Sequence, residues 1–134
     1  MSQMTVASAE PQVRSLLRMV AGFTFSLHGF PKLFGVLGGM GGKGAPAEFF
    51  SLMWAAGFLE AAGGMLILLG LFTRPVAFVL AGEMAYAYFR VHAPRGFWPL
   101  LNGGELAALY CFLFLWMAAA GAGPWSLDRA IGKR

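Results

Sequence analysis

The chain has 134 residues, of which 58% are hydrophobic and 12% charged, and a mean hydropathy of +0.66, so its apolar share exceeds the roughly 45–50% of soluble domains. A water-soluble core of this length could not bury so much apolar surface, whereas lipid solvates it on helices that satisfy their own backbone hydrogen bonds. The net charge of +4 and isoelectric point near 9.7 do not point to a nucleic-acid partner, because the basic residues are scattered at segment ends and not gathered on one face.

The expectation is one all-α domain over residues 1–134, an integral membrane four-helix bundle with helices at about 13–37, 47–72, 74–91 and 103–121. The first apolar segment runs from about Val13 to Leu37, with Arg14 and Arg18 at its leading end and Lys32 near its far end. It is the weakest span, since few residues separate Arg18 from His28, and it needs its neighbours to stay inserted. It continues through His28 into a glycine-rich turn without an A-x-A cleavage site, so it reads as a span and not as a signal peptide.

Gly35 to Pro46 cannot sustain a helix and reads as an external loop. It contains Gly42-Lys43, but Leu37 stands where a phosphate-binding loop needs its first glycine. The second helix, about Ala47 to Phe72, is opened by Pro46 and Glu48, a fixed φ and a negative charge that both suit a helix N-terminus. Thr73-Arg74-Pro75 makes a tight turn in which Thr73 caps the third helix. That helix runs to about Val91, and the loop His92 to Pro99 follows, with Phe97 and Trp98 placed for an interfacial aromatic belt. Asn102-Gly-Gly-Glu105 caps the last helix, which ends near Gly121 before a tail carrying Trp125, Asp128, Arg129, Lys133 and Arg134.

Four spans put both termini on one side. Arg14, Arg18, Arg74, Arg129, Lys133 and Arg134 then lie there against Lys32, Lys43, Arg90 and Arg95 opposite, which favours cytoplasmic termini in a bacterial inner membrane. Gly57, Gly63, Gly64 and Gly70, with Gly121 and Gly123, allow close helix contacts. Cys111 stands alone within an apolar segment, so no intramolecular disulfide, redox pair or cysteine metal cage can form.

His28, Glu60, Glu83 and Glu105, one on each helix, are expected to point inward, because an ionised carboxylate at mid-bilayer costs on the order of 3 kcal/mol. At 1.5 Å per residue Glu83 lies about 13 Å past Arg74 and about 10 Å short of Arg90, near mid-membrane. Glu60 is central on the neighbouring helix, while His28, Lys32 and Glu105 lie toward the external side. Plainer roles compete at each position. Asn102-x-x-Glu105 matches a capping box, and Glu60 with Glu83 would serve equally as a polar network that fixes helix register. Pro31 frees the Leu27 carbonyl, which could satisfy His28, and Lys32 either snorkels to the interface or neutralises a glutamate. Tyr86 shares a helix face with Glu83 and Arg90, which suits proton transfer or an interfacial tyrosine. His92 is a rim proton donor or a solvated loop histidine. Two histidines without ligand spacing do not make a metal site.

These motifs resemble those of the DoxX family of small four-helix membrane proteins. The resemblance rests on His28-Gly29-x-x-Lys32-Leu33-Phe34-Gly35, on Gly57-Phe-Leu-Glu60-x-x-Gly63-Gly64 followed by Gly70-Leu-x-Thr73-Arg74-Pro75, and on Gly104-Glu105-Leu106 with Gly121-x-Gly123-Pro-Trp-Ser126-Leu127-Asp128. It implies the four-helix membrane fold and, from some relatives, a membrane subunit of sulfur or thiosulfate oxidation that delivers electrons to quinone; other relatives accompany redox-stress enzymes. It also implies His28, Lys32, Glu60 and Glu105 as the site, to which the depth argument adds Glu83.

The chain has no nucleotide motif, cysteine pair or haem or iron–sulfur ligand set, so any oxidoreductase activity needs a partner. A quinone is the natural missing reagent, apolar enough to enter from lipid and needing protons on reduction. The leading expectation is therefore a membrane subunit of a redox complex that binds a quinone-like or lipid-like molecule, with His28, Glu60 and Glu83 relaying protons and Lys32, Tyr86, His92, Asn102 and Glu105 lining the site. Membrane lipid and a protein partner or second copy are the expected company. The alternatives are a structural subunit without chemistry and a proton-coupled carrier of a small solute.

Overall fold

The computed structural model describes residues 5–133; Arg134, which belongs to the basic tail, lies outside the described residues. The architecture is all-α. A 3₁₀ turn (Val6–Ala9) leads into α1 (Glu10–Phe34), followed by α2 (Leu52–Leu69), α3 (Thr73–Ala87), α4 (Pro99–Asn102), α5 (Glu105–Ala120) and α6 (Leu127–Ala130). α3 continues through a π turn (Tyr88–His92) and a 3₁₀ turn (Ala93–Arg95). The widened turn stands just ahead of Pro94, which has no N–H to return to the preceding carbonyls.

Several boundaries differ from the sequence reading. α1 stops at Phe34 because Gly35 takes φ +72° and its amide bonds the Pro31 carbonyl. α2 begins at Leu52, not near Ala47: Ser51 is its N-cap, with Oγ accepting from the Trp54 amide at 3.2 Å. Pro46 and Glu48 therefore belong to the preceding loop. The helix expected from Gly103 begins at Glu105, and the stretch ahead of it, expected as loop and cap, forms the short α4, with Gly103 at φ +76° between them.

α1 lies along α2 and α3 along α5, while the tight α2–α3 turn links the two pairs. Phe25 of α1 closes the ring by packing edge-on against Phe114 of α5, at 4.9 Å between centroids. The α1–α2 contact is backbone against backbone. A Cβ at Gly22 would stand 2.7 Å from the Gly64 carbonyl oxygen, and one at Gly29 would stand 2.5 Å from that of Gly57. Small residues at both crossings are therefore a steric requirement of this pairing.

Polarity is arranged against the soluble pattern. Ser15, Arg18, Ser26, Glu60, Thr73, Asn102 and Asp128 are buried, while Leu16, Val20, Phe23, Phe58, Phe78, Leu109 and Phe112 are exposed along the long helices. By length and composition one helix, Leu52–Leu69, is long and apolar enough to cross a membrane, with mean hydropathy 1.8 over 18 residues; Glu105–Ala120 is apolar but shorter. Only α2 of the four expected spans meets that standard: charge dilutes α1, and α3 and α5 have 15 and 16 residues.

A polar knot ties the first turns of α1 and the tail after α5 to the α2–α3 turn. Arg18, 1% exposed, donates from Nε to the Ile67 carbonyl at 2.9 Å and from Nη2 to that of Trp125 at 2.6 Å, and from Nη1 to the Ala122 carbonyl. It adds a second donor to the Ile67 carbonyl, which also accepts from the Gly70 amide at 3.0 Å, and it pairs carbonyls of the chain after α5. Asp128 accepts from the Phe72 amide at 2.7 Å and the Thr73 amide at 2.9 Å. The cap of α3 thus comes from the tail and not from Thr73, whose Oγ1 is buried without a partner among the described residues. Arg14 and Arg74 likewise donate to carbonyls at the end of α5. Three arginines read from the sequence as topology signals are, in the fold, caps for helix C-termini.

Removing the Asp128 carboxylate leaves two buried amides unpaired. Asp128→Ala is expected to lower the unfolding free energy by about 2–4 kcal/mol, against a change within about 0.5 kcal/mol for Lys43→Ala on the exposed loop, both read from unfolding titrations in detergent.

Candidate functional site

The glycine contact between α1 and α2 sets the geometry of an ion pair. Gly57 lies under the Lys32 side chain, where a Cβ would stand 2.6 Å from Lys32 Cβ. Helical side chains lean toward their own N-terminus. Lys32 therefore slants back along α1 toward the level of Glu60, one turn further along the antiparallel α2. Its Nζ donates to Glu60 Oε2 at 2.6 Å, with the two side chains 19% and 5% exposed. Of the two roles open to Lys32 in the sequence, the fold takes the neutralising one.

Glu83 comes to the same place from α3. Glu60 precedes the end of α2 by nine residues and Glu83 follows the start of α3 by ten, so each stands about 14–15 Å from the shared turn. The Glu83 carboxyl lies against that of Glu60, within the field of Lys32. Its Oε1 is buried and has no hydrogen-bond partner among the described residues. One cation and two acids on three helices thus meet in the interior.

An apolar groove of about 280 Å³ runs between α2 and α3, lined by Leu59, Gly63, Leu66, Val76, Val79 and Leu80 among others. Glu83 follows Val79 by four residues and Leu80 by three, which places it one turn beyond the groove on the same face of α3.

The remaining predicted residues are not gathered here. His28 is exposed and sits edge-on to Tyr110 of α5, 6.3 Å between centroids; the inward placement expected for it is not found, because the inward stripe of α1 passes through Phe25, Gly29 and Lys32. Glu105 is also exposed, in the first turn of α5, where it complements the helix dipole. Tyr86 is 54% exposed and, with Arg90, makes no hydrogen bond among the described residues.

Asn102 and His92 join a separate cluster. Asn102, 1% exposed, donates to Tyr88 Oη at 3.2 Å and to the Gly96 carbonyl at 2.9 Å, and accepts from the Gly104 amide at 2.7 Å. His92 Nδ1 lies 3.2 Å from the Asn102 carbonyl oxygen. The capping box expected from Asn102 and Glu105 does not form; Gly104 is the N-cap of α5, and Asn102 instead ties the π turn to the start of that helix. Among the described residues no group of three or more His, Cys, Asp or Glu could hold a metal.

The Lys32–Glu60 pair gives a clear energetic expectation. Lys32→Met alone strands a buried carboxylate and is expected to cost about 3–5 kcal/mol, whereas Lys32→Met with Glu60→Leu recovers most of that loss. A double-mutant cycle of unfolding free energies in detergent checks it; additive losses would mean that the two groups are not coupled.

Comparison with known proteins places these residues in context. A protein of Haemophilus influenzae (strain ATCC 51907 / DSM 11121 / KW20 / Rd), described as an uncharacterized protein, is 44% identical over 131 residues, which covers 92% of this chain and 94% of the relative. No solved structure matches the chain. Residues 13–93 match the DoxX family, a stretch that holds Lys32, Glu60 and Glu83 but leaves out Glu105 and the 121–128 motif. With more than half of its length matched, the chain belongs to the DoxX family.

Proposed function

We propose that the chain is a multi-pass bacterial inner-membrane protein, a four-helix bundle with cytoplasmic termini, whose Lys32–Glu60–Glu83 group binds a quinone-like molecule and exchanges protons with it as part of a redox complex. The membrane part of this reading is supported by the inverted polarity, since Arg18, Glu60, Asn102 and Asp128 are buried while large apolar side chains cover the outer faces. A bilayer accepts that surface, and water does not.

The observation that carries the site is the buried, unpaired Oε1 of Glu83 beside an ion pair. Lys32 balances one of two neighbouring carboxylates, and charge neutrality in lipid then requires one proton on the acid pair. A protonated carboxyl can donate to a carbonyl oxygen and take a proton back, which is general acid–base chemistry in a dry setting. A quinone supplies two-electron, two-proton redox chemistry, and its carbonyl and apolar body suit, respectively, the free Glu83 oxygen and the groove below it. Glu60 and Lys32 hold each other in place through their ion pair, and Glu83 carries the exchangeable proton. In this reading a protein partner supplies the electrons.

A second reading, a structural subunit, is favoured by the tight interlock of Arg18 and Asp128 with the helix ends. The chain purified in its native lipid, with whatever follows it, distinguishes the two by mass spectrometry. Quinone enriched over bulk lipid, and reduced at least severalfold in Glu83→Gln, is the expected result. A stoichiometric partner without enriched quinone, or enrichment unchanged in Glu83→Gln, would replace the proposal by the structural reading.

A further inference from the structure

The end of the molecule opposite the acid pair holds a cavity of about 550 Å³, lined by Arg14, Arg74, Arg129 and Lys133 with Ser126 and Asp128 among others. Four cationic side chains on α1, α3 and the tail converge there. Two acids, Asp128 and Glu10, stand beside them and offset part of that charge, leaving the surroundings of the cavity positive among the described residues. Asp128 spends both carboxylate oxygens on the Phe72 and Thr73 amides, and Glu10 stands outside, 54% exposed, paired with Arg14 at 3.1 Å.

Part of this charge is held in fixed positions. Arg14 Nη1 donates to the Ala120 carbonyl at 2.5 Å, and Arg74 Nη1 to those of Ala118 and Ala119, so both guanidiniums are anchored at the cavity wall by the C-terminus of α5. Lys133 lies over the Phe72 ring, 4.0 Å from Nζ to the centroid, and Arg129 is exposed at the mouth. No hydrogen bond, ion pair or ring contact among the described residues engages the Arg129 guanidinium, and Lys133 is held only by its contact with the Phe72 ring. Like charges drawn to one concave surface repel, and an anion seated among them removes that cost.

We infer that this cavity is a binding site for a phosphate group, either the phosphodiester of an anionic phospholipid headgroup or free phosphate. Arginine forks match phosphate oxygens, and lysine adds a point charge. The cavity is far larger than a phosphate ion needs and leaves room for the glycerol parts of a headgroup. On the membrane reading above, the site faces the cytoplasmic leaflet, where basic pockets between helices recruit anionic lipid; the phosphate chemistry itself does not depend on the quinone proposal.

The test uses the full chain in neutral detergent, titrated with phosphatidylglycerol, phosphatidylcholine and inorganic phosphate and read by native mass spectrometry. The expected result is one phosphatidylglycerol held per chain at least tenfold more tightly than phosphatidylcholine. Arg129→Gln with Lys133→Gln should weaken it roughly tenfold, while Arg90→Gln with Arg95→Gln at the other end leaves it unchanged. Displacement by millimolar phosphate would identify the phosphate group alone as what is read; resistance to phosphate would identify the lipid. Equal retention of the two lipids with no phosphate bound, or retention unaffected by Arg129→Gln with Lys133→Gln, would overturn the assignment.

Discussion

The structure depends most on the close approach of α1 and α2, where Gly22 meets Gly64 and Gly29 meets Gly57 with no room for a side chain between them. Two helices in backbone contact bring their flanking residues within reach of each other. One turn along from the Gly29–Gly57 crossing on each helix stand Lys32 and Glu60, and they meet as an ion pair at 2.6 Å. Without that approach a lysine of this reach would lie at the surface and Glu60 would be a stranded acid. The tight α2–α3 turn then carries Glu83 to the same depth, so the site follows from one steric contact and one turn.

The turn itself is not self-sufficient. Phe72 adopts φ +52°, an uncommon conformation for a bulky residue, and the amides of Phe72 and Thr73 point out of the helix start. Asp128 takes both, and Arg18 takes carbonyls from the end of α2 and the chain after α5. The tail is therefore a structural element that fixes the relative position of α2 and α3, and so the distance between Glu60 and Glu83. The two polar groups divide the molecule's work: one ties the first turns of α1 and the tail after α5 to the α2–α3 turn, and the other places charge in the interior.

Much of this was legible in the sequence. Helix existence followed from apolar runs and glycine or proline punctuation, and the shared depth of Glu60 and Glu83 followed from counting residues from a shared turn. Inward placement was harder. The stripe Ser15, Arg18, Gly22, Phe25, Gly29, Lys32 repeats at spacings of three and four, and it separates buried Arg18 and half-buried Lys32 from exposed His28. The charge of Arg18 taken alone suggests an interface, although its face of α1 carries the small residues Ser15 and Gly22. Glu105 and Asn102 match a capping box by spacing, yet Gly103 and Gly104 let the chain turn so that Asn102 serves the π turn. Pro46 and Glu48 are sound initiators locally and suggest too early a start for α2; only the positive φ of Phe50 shows that the chain turns again before Ser51. Asp128 as a cap from 55 residues away has no local signal at all.

The central claim is that the acid pair beside Lys32 carries one exchangeable proton that engages a quinone-like ligand. Infrared difference spectroscopy of the purified chain in lipid, with and without added quinone, tests it most directly through the carbonyl stretch of protonated carboxyl groups. The account predicts such a band in the wild type, shifted by quinone and absent in Glu83→Gln. A spectrum with no protonated carboxyl, or with a band indifferent to both quinone and the substitution, would contradict it.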